Sequence, residues 1–218
     1  MKVFIGYDSR FDDAYQVAKH SLFKVNDNVE VYPLKLDKFK NLLFREHDHL
    51  ASTEFTISRF LVPYLSDYTG FSLFVDCDVL FLEDPMQMLQ EIEFLSNCDV
   101  YCVPHNYSPM SNIKMNNQVQ YKYECKNWSS VMLFNNLKCQ YLNLKYINSA
   151  TPLELHQFKW ADTIGKLDKK WNHLVGYYDN PNPSIIHYTD GGPWIKDYEN
   201  CEYANEWITN YNELRDKR

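Results

Sequence analysis

The chain has 218 residues, enough to bury roughly 70–75% of the surface its unfolded form would expose around one core. Hydrophobic residues make up 45% and charged residues 23%, which excludes a disordered polyelectrolyte, and no window reaches the ~18 uncharged apolar residues of a membrane-spanning helix. Acidic side chains outnumber basic ones 29 to 22, and the net charge of −7 argues against nucleic acid as a partner. The first predicted element is a strand over 2–6, and no apolar stretch of signal-peptide length precedes Asp8, so a cytoplasmic protein is expected. Its six cysteines (77, 98, 102, 125, 139 and 201) then read as reduced thiols. A helix follows over 12–23, where Ala14, Val17, Ala18 and Leu22 recur at helical spacing behind Asp12 or Asp13 as N-cap.

Next come a strand over 29–34 and a helical pattern over 53–65, with Pro63 as a kink. Strands are predicted at 72–75, 79–82 and 100–104, followed by a polar, weakly periodic stretch, 106–127, of the kind that forms a long functional loop. A strand over 131–135 precedes a capping box, Thr151-Pro152-x-Glu154, which starts a helix running to about 160. The last strand is 185–188, and the charged end, 214–218, reads as a solvated tail. Strands alternating with helices imply an α/β fold in one domain spanning 1–218, its sheet mainly parallel in the first half.

Glycine is scarce, with 6 residues, and none forms the glycine-rich fingerprints that cradle nucleotide phosphates. What stands out is Asp76-Cys77-Asp78, two carboxylates planted in the apolar run 74–81. Residues two apart in an extended segment face the same way with backbones about 6.6 Å apart, so both can converge on one cation. Hard oxygen ligands favour Mg or Mn over zinc, and the carboxyl edge of an α/β sheet is where ligands bind. The competing reading is a structural pair capped by backbone amides. A second cluster, 185–194, ends a strand with His187, whose neutral imidazole could complete the metal shell, and brings Gly191 and Gly192, where backbone can approach a ligand closely.

In order along the chain, Gly6-Tyr7-Asp8, Ser58-Arg59-Phe60, Asp76-Cys77-Asp78, the run 129–135 and a late His187 followed by Gly-Gly-Pro-Trp resemble the GT-A glycosyltransferases of family 8. The resemblance covers nearly the whole chain. It implies a Rossmann-like mixed sheet flanked by helices, and a Mn- or Mg-dependent transferase that moves a sugar from a UDP-linked donor to a glycan or other hydroxyl acceptor, retaining configuration. Asp76, Asp78 and His187 fall on the family's metal ligands, Asp8 on its uracil contact, Arg59 on its arginine near the donor, and Gln157 on its glutamine near the donor sugar. Gly6, Tyr7, Cys77, Gly191 and Gly192 lie within the matching nucleotide-binding segments. Departures accompany the match: no lysine precedes Pro193, leaving Lys196 as its substitute, His156 stands where the family has Asp, and Trp128-Ser129-Ser130 replaces a glycine-containing run.

A diphosphate of about −2, two aspartates and a divalent cation leave roughly −2 unbalanced. Arg59, Lys196 and the amides of Gly191 and Gly192 are the candidates to offset it. Retention needs no dedicated nucleophile; inversion would need a carboxylate base, for which Asp162 and Asp190 are the candidates. Trp128 and Trp194 offer flat faces for sugar rings. Two other classes share some of these features. One is a non-catalytic carbohydrate or nucleotide-sugar binding module; the other is a sugar-nucleotide pyrophosphorylase, which would open on a glycine-rich loop absent here.

Overall fold

Short β-branched and aromatic runs separated by polar turns form the strands of this chain, and the one strong 3.6-residue period near the N-terminus forms its longest helix. A computed structural model describes residues 1–45, 52–92, 97–106, 113–114, 118–119, 123–179 and 182–216. The strands are β1 (Lys2–Gly6), β2 (Glu30–Leu34), β3 (Phe71–Val75), β4 (Val79–Phe81), β5 (Val100–Cys102), β6 (Ile113–Lys114), β7 (Gln118–Val119), β8 (Val131–Asn135), β9 (Ile164–Lys166), β10 (His173–Leu174) and β11 (Ile185–His187). The helices are α1 (Asp12–Val25), α2 (Val62–Leu65), α3 (Gln87–Ile92), α4 (Leu144–Ser149), α5 (Pro152–His156) and α6 (Ala204–Asp216). No helix among the described residues is long and apolar enough to cross a membrane.

The main sheet has the order β2-β1-β3-β8-β5-β9, and every pairing is parallel except those of β8, which runs against both neighbours. This is the mixed, mainly parallel sheet flanked by helices that the sequence implies. The carboxyl ends of β1, β3, β5 and β9 therefore share one edge with the start of β8, where Val131 pairs with Val75. A smaller sheet, β10-β11-β4, takes over where β3 ends, so the Asp76-Cys77-Asp78 segment is the crossing between two sheets.

β3 and β8 are buried almost throughout, with Leu73, Phe74, Val75 and the whole of 131–134 at 0% exposure. Each such large side chain contributes ~1.5–3 kcal/mol on leaving water, which fixes the rigid floor of the edge. α1 packs its Ala14, Val17, Ala18 and Leu22 face over β1 and β4 and meets α6 on its other side.

Three local expectations are corrected. Asp12 and Asp13 open α1 as its first residues rather than capping it, because Asp8 caps the preceding 3-10 turn, Ser9–Phe11, by accepting from the Arg10 amide. The 53–65 pattern is not one helix: turns lead into a 3-10 segment, Ser58–Leu61, and Pro63 lies in the first turn of α2, where its missing N–H costs nothing, instead of kinking a longer helix. The capping box forms as expected, with Thr151 and Glu154 bonding reciprocally, but α5 stops at His156 because Phe158 turns left-handed at φ 57°. Of the 106–127 stretch, 107–112, 115–117 and 120–122 lie outside the described residues; within the remainder, β6 and β7 pair antiparallel.

Candidate metal and nucleotide site

Ladder register builds the site. The Asp76 amide donates to the Ser130 carbonyl at 2.9 Å, tying the end of β3 to the start of β8. On the other side the Tyr188 amide donates to the Asp78 carbonyl at 2.9 Å, and His187 pairs with Val79 across β11 and β4. The two aspartates are thus pinned by opposite sheets, and His187, 109 positions after Asp78 in the chain, arrives beside it: its Nε2 lies 3.5 Å from Asp78 Oδ1. One ligand atom from each of Asp76, Asp78 and His187 falls within 4.8 Å of the others.

These donors fit a divalent cation. Opposite oxygen ligands of a small octahedral ion sit roughly 4.2 Å apart, so slight closure brings all three atoms onto one ion. The imidazole is already set to offer a lone pair. His187 Nδ1 is 2.9 Å from Asn172 Oδ1, and the Asn172 amide nitrogen donates to the Asn127 carbonyl (3.2 Å) and to Ser130 Oγ (2.9 Å). A backbone carbonyl only accepts, so the Asn172 oxygen must face His187 and Nδ1 must carry a proton, which makes Nε2 the atom available to a cation. Asn172 is fully buried and went unnoticed in the sequence, because nothing local marks an asparagine in a 3-10 turn as the partner of a histidine 15 residues on.

Arg59, only 5% exposed, places one guanidinium nitrogen 2.8 Å from Asp76 Oδ1 and 2.9 Å from the Ser129 carbonyl. Its Cζ also lies 5.1 and 4.9 Å from the Phe55 and Phe74 ring centroids. The cation expected to meet a diphosphate is therefore engaged first in orienting a carboxylate. Ser129 Oγ in turn is hydrogen-bonded to His156 Nδ1 at 2.7 Å, joining the residue that replaces the family's Asp to the same network. Gln157, next in the chain, is the half-buried C-cap of α5.

Other expected residues are placed differently. Asp8 is fully buried, with Arg10 holding both oxygens (2.8 and 2.6 Å) and the Glu54 amide donating at 3.2 Å, so its carboxylate serves the chain rather than facing outward. Gly6 lies against the Phe55 ring, where an added Cβ would come within 2.6 Å. Tyr7 carries Lys35 Nζ 4.1 Å above its ring and donates to Asp12. The Cys77 thiol is buried between the aspartates, and burial, then Asp78 and Asp76, hold it strongly protonated. All six cysteines are free thiols. The Gly191 amide, at φ 144°, donates to the Tyr188 carbonyl, which removes it from the phosphate-binding candidates. Lys196 is exposed in a 3-10 turn. Asp190 accepts from the Tyr177 hydroxyl at 2.7 Å. Asp162 precedes β9, at the opposite edge of the sheet from Asp76, so sheet polarity removes it as a base for this site. Trp194 packs against Tyr188 and Trp207 as part of the small core.

His105, missed in the sequence, and His156 are 6% and 8% exposed. Burial pushes both down to about 3, with His187 and then Lys169 adding to the effect at His105, and Arg59 at His156. Unfolding restores values near 6.5, so between those limits the unfolded chain binds more protons and stability is lost as the pH falls. At pH 5 the loss is about 2 kcal/mol per histidine. The melting temperature is expected to drop by ~8–16 °C from pH 7.5 to pH 5, and His156→Gln should remove about half of that dependence. A flat profile would contradict the burial of neutral imidazoles.

No family model matches the chain. It is 39% identical to Protein CDI of Arabidopsis thaliana over 225 residues, covering 97% of this chain and 86% of that protein. The chain belongs to the Protein CDI family. Among solved structures, the chain resembles the bifunctional glycosyltransferase WbbM (TM-score 0.70, 15% identity, 97% of this chain and 49% of that one). It also resembles the glycosyltransferase GlyE of Streptococcus pneumoniae TIGR4 (0.62, 15%, 96% and 60%). The galactosyltransferase LgtC, solved with donor and acceptor sugar analogues, matches over nearly its whole length (0.57, 12%, 98% and 96%). The chain thus spans about half of WbbM and three-fifths of GlyE. At these identities the likeness establishes the fold, which is that of the GT-A glycosyltransferases.

Proposed function

We propose that this member of the Protein CDI family is a glycosyltransferase that takes a sugar from a UDP-linked donor to a hydroxyl acceptor, in the manner of family 8, using Mn2+ or Mg2+. The observation that carries the reading is the convergence of Asp76, Asp78 and His187 at the carboxyl edge of the sheet within a GT-A fold. A divalent cation held there would neutralise the leaving diphosphate as the anomeric bond breaks.

The chain's own groups prepare that site. Arg59 fixes the rotamer of Asp76, Asn172 fixes the tautomer of His187, and the two sheets fix the backbone of both aspartates. Gln157, beside the His156–Ser129 pair, is placed in this reading to steady the transferred sugar. Retention is favoured over inversion: Asp162 lies at the wrong edge, and Asp190 already accepts from Tyr177. Lys196, exposed beside the 191–194 turn, is the cation left to meet the diphosphate once Arg59 is assigned to Asp76.

Melting curves with UDP, GDP, CDP and dTDP, each with and without Mn2+, test the reading. At a hundredfold excess over Kd the nucleotide adds ~2.7 kcal/mol, a rise of about 5–11 °C, expected for UDP and only with the metal. Absence of a shift with any nucleotide, together with no release of UDP from UDP-sugars, would favour a carbohydrate-binding module without catalysis. The role of Asn172 is checked separately. Asn172→Leu is expected to weaken Mn2+ binding roughly 10–100-fold, read by the EPR signal of free Mn2+, and unchanged affinity would contradict it.

A further inference from the structure

His105 lies three residues beyond β5 on the site's edge of the sheet. Its Nδ1 is 2.9 Å from the Tyr178 hydroxyl, and the two rings stack 5.6 Å apart at 19°. Its Nε2 is buried with no hydrogen-bond partner among the described residues. A buried imidazole nitrogen left without a partner costs about 1–3 kcal/mol, and a native chain that carries one at a cleft invites a ligand there. The cleft exists: about 550 Å³ lined by His105, Tyr123, Lys126 and Trp128, with Asn106, Glu124 and Cys125 completing its wall. Trp128 is locked to the same wall, its indole N–H donating to the His105 carbonyl at 2.9 Å.

Strand order says which part of a ligand reaches this cleft. Along the edge run β1, β3, β8 and β5, with the metal ligands leaving β3 and Trp128 preceding β8. A nucleoside diphosphate whose base lies over β1 and whose phosphates lie at Asp76 and Asp78 leaves the β8 and β5 side to whatever follows the phosphates. Aromatic faces beside a neutral donor suit a polyhydroxylated ring. Resting on the glycosyltransferase reading, we propose that His105 donates from Nε2 to a sugar hydroxyl in a subsite walled by Trp128 and Tyr123. This donation requires the tautomer with the imidazole proton on Nε2, in which Nδ1 accepts from the Tyr178 hydroxyl; the 2.9 Å contact is compatible with it. The sugar is either the transferred ring of the donor or the acceptor's.

Both sources are separated with His105→Leu and His105→Gln, using UDP, UDP-glucose and UDP-galactose with Mn2+, and methyl glycosides as acceptors. UDP affinity by calorimetry should stay within about twofold in both variants. A donor contact raises the KM for UDP-sugar hydrolysis about tenfold in His105→Leu; an acceptor contact leaves hydrolysis alone and raises the glycoside KM about tenfold. His105→Gln, which keeps an N–H donor, should recover part of either loss. Unchanged values in both arms, or a loss of UDP affinity itself, would overturn the assignment. If the wild type binds no UDP, the functional reading fails on its own, and saturation-transfer NMR with methyl glycosides still decides the subsite. A wild-type signal lost in His105→Leu supports it, and no wild-type signal overturns it.

Discussion

Asp78→Ala is expected to abolish metal-dependent release of UDP from UDP-sugars while leaving the fold intact. A divalent ion at a departing diphosphate supplies several kcal/mol of transition-state stabilisation, so the loss should approach 10³-fold in kcat/KM. The fold should survive because Asp78 stands at a sheet crossing whose backbone bond, from the Tyr188 amide to the Asp78 carbonyl, does not involve the side chain. Removing one of two neighbouring carboxylates also relieves repulsion in the metal-free protein. Asp78→Asn should therefore melt no lower than the wild type without Mn2+, yet gain nothing when Mn2+ and UDP are added. Turnover within tenfold of wild type would remove Asp78 from the site.

Arg59→Met should act mainly on stability. Arg59 and Asp76 are 6% and 14% exposed at their side chains, and the guanidinium joins Asp76, the Ser129 carbonyl and two aromatic faces. Breaking such a pair leaves a half-buried carboxylate without its cation and costs ~3 kcal/mol, or about 6–12 °C in melting temperature. Arg59→Lys keeps the charge but loses the planar reach to both oxygens, and should recover only part of that loss. Urea denaturation reads both variants; a change below ~1 kcal/mol for Arg59→Met would show that the pair is not structural.

The parts of the site that could be read from the sequence share one property: their chemistry is set by short-range spacing. Asp76 and Asp78 stand out because two carboxylates two positions apart interrupt an apolar run, and His187 because it ends another such run. Thr151 and Glu154 are legible for the same reason. Residues whose meaning depends on distant register are not. Asn172 matters through His187 and Ser130, and His105 through Tyr178, 73 positions away. Asp8 illustrates the converse: its position after β1 matches a family's base contact, but Arg10, two residues later, folds back onto both oxygens. The 53–65 pattern is apolar enough for a helix, yet turns before Ser58 and the 3-10 segment Ser58–Leu61 leave only α2 as regular helix. Asp162 was misplaced because a sequence does not state which end of a strand faces the site.

Pulsed EPR of bound Mn2+ tests most directly whether Asp76, Asp78 and His187 hold one cation that also carries a diphosphate. One Mn2+ per chain should show a nitrogen coupling from His187 that disappears in His187→Gln, and a phosphorus coupling when UDP is added. A bound Mn2+ whose nitrogen coupling survives that substitution, or no bound Mn2+ with UDP present, would contradict the account.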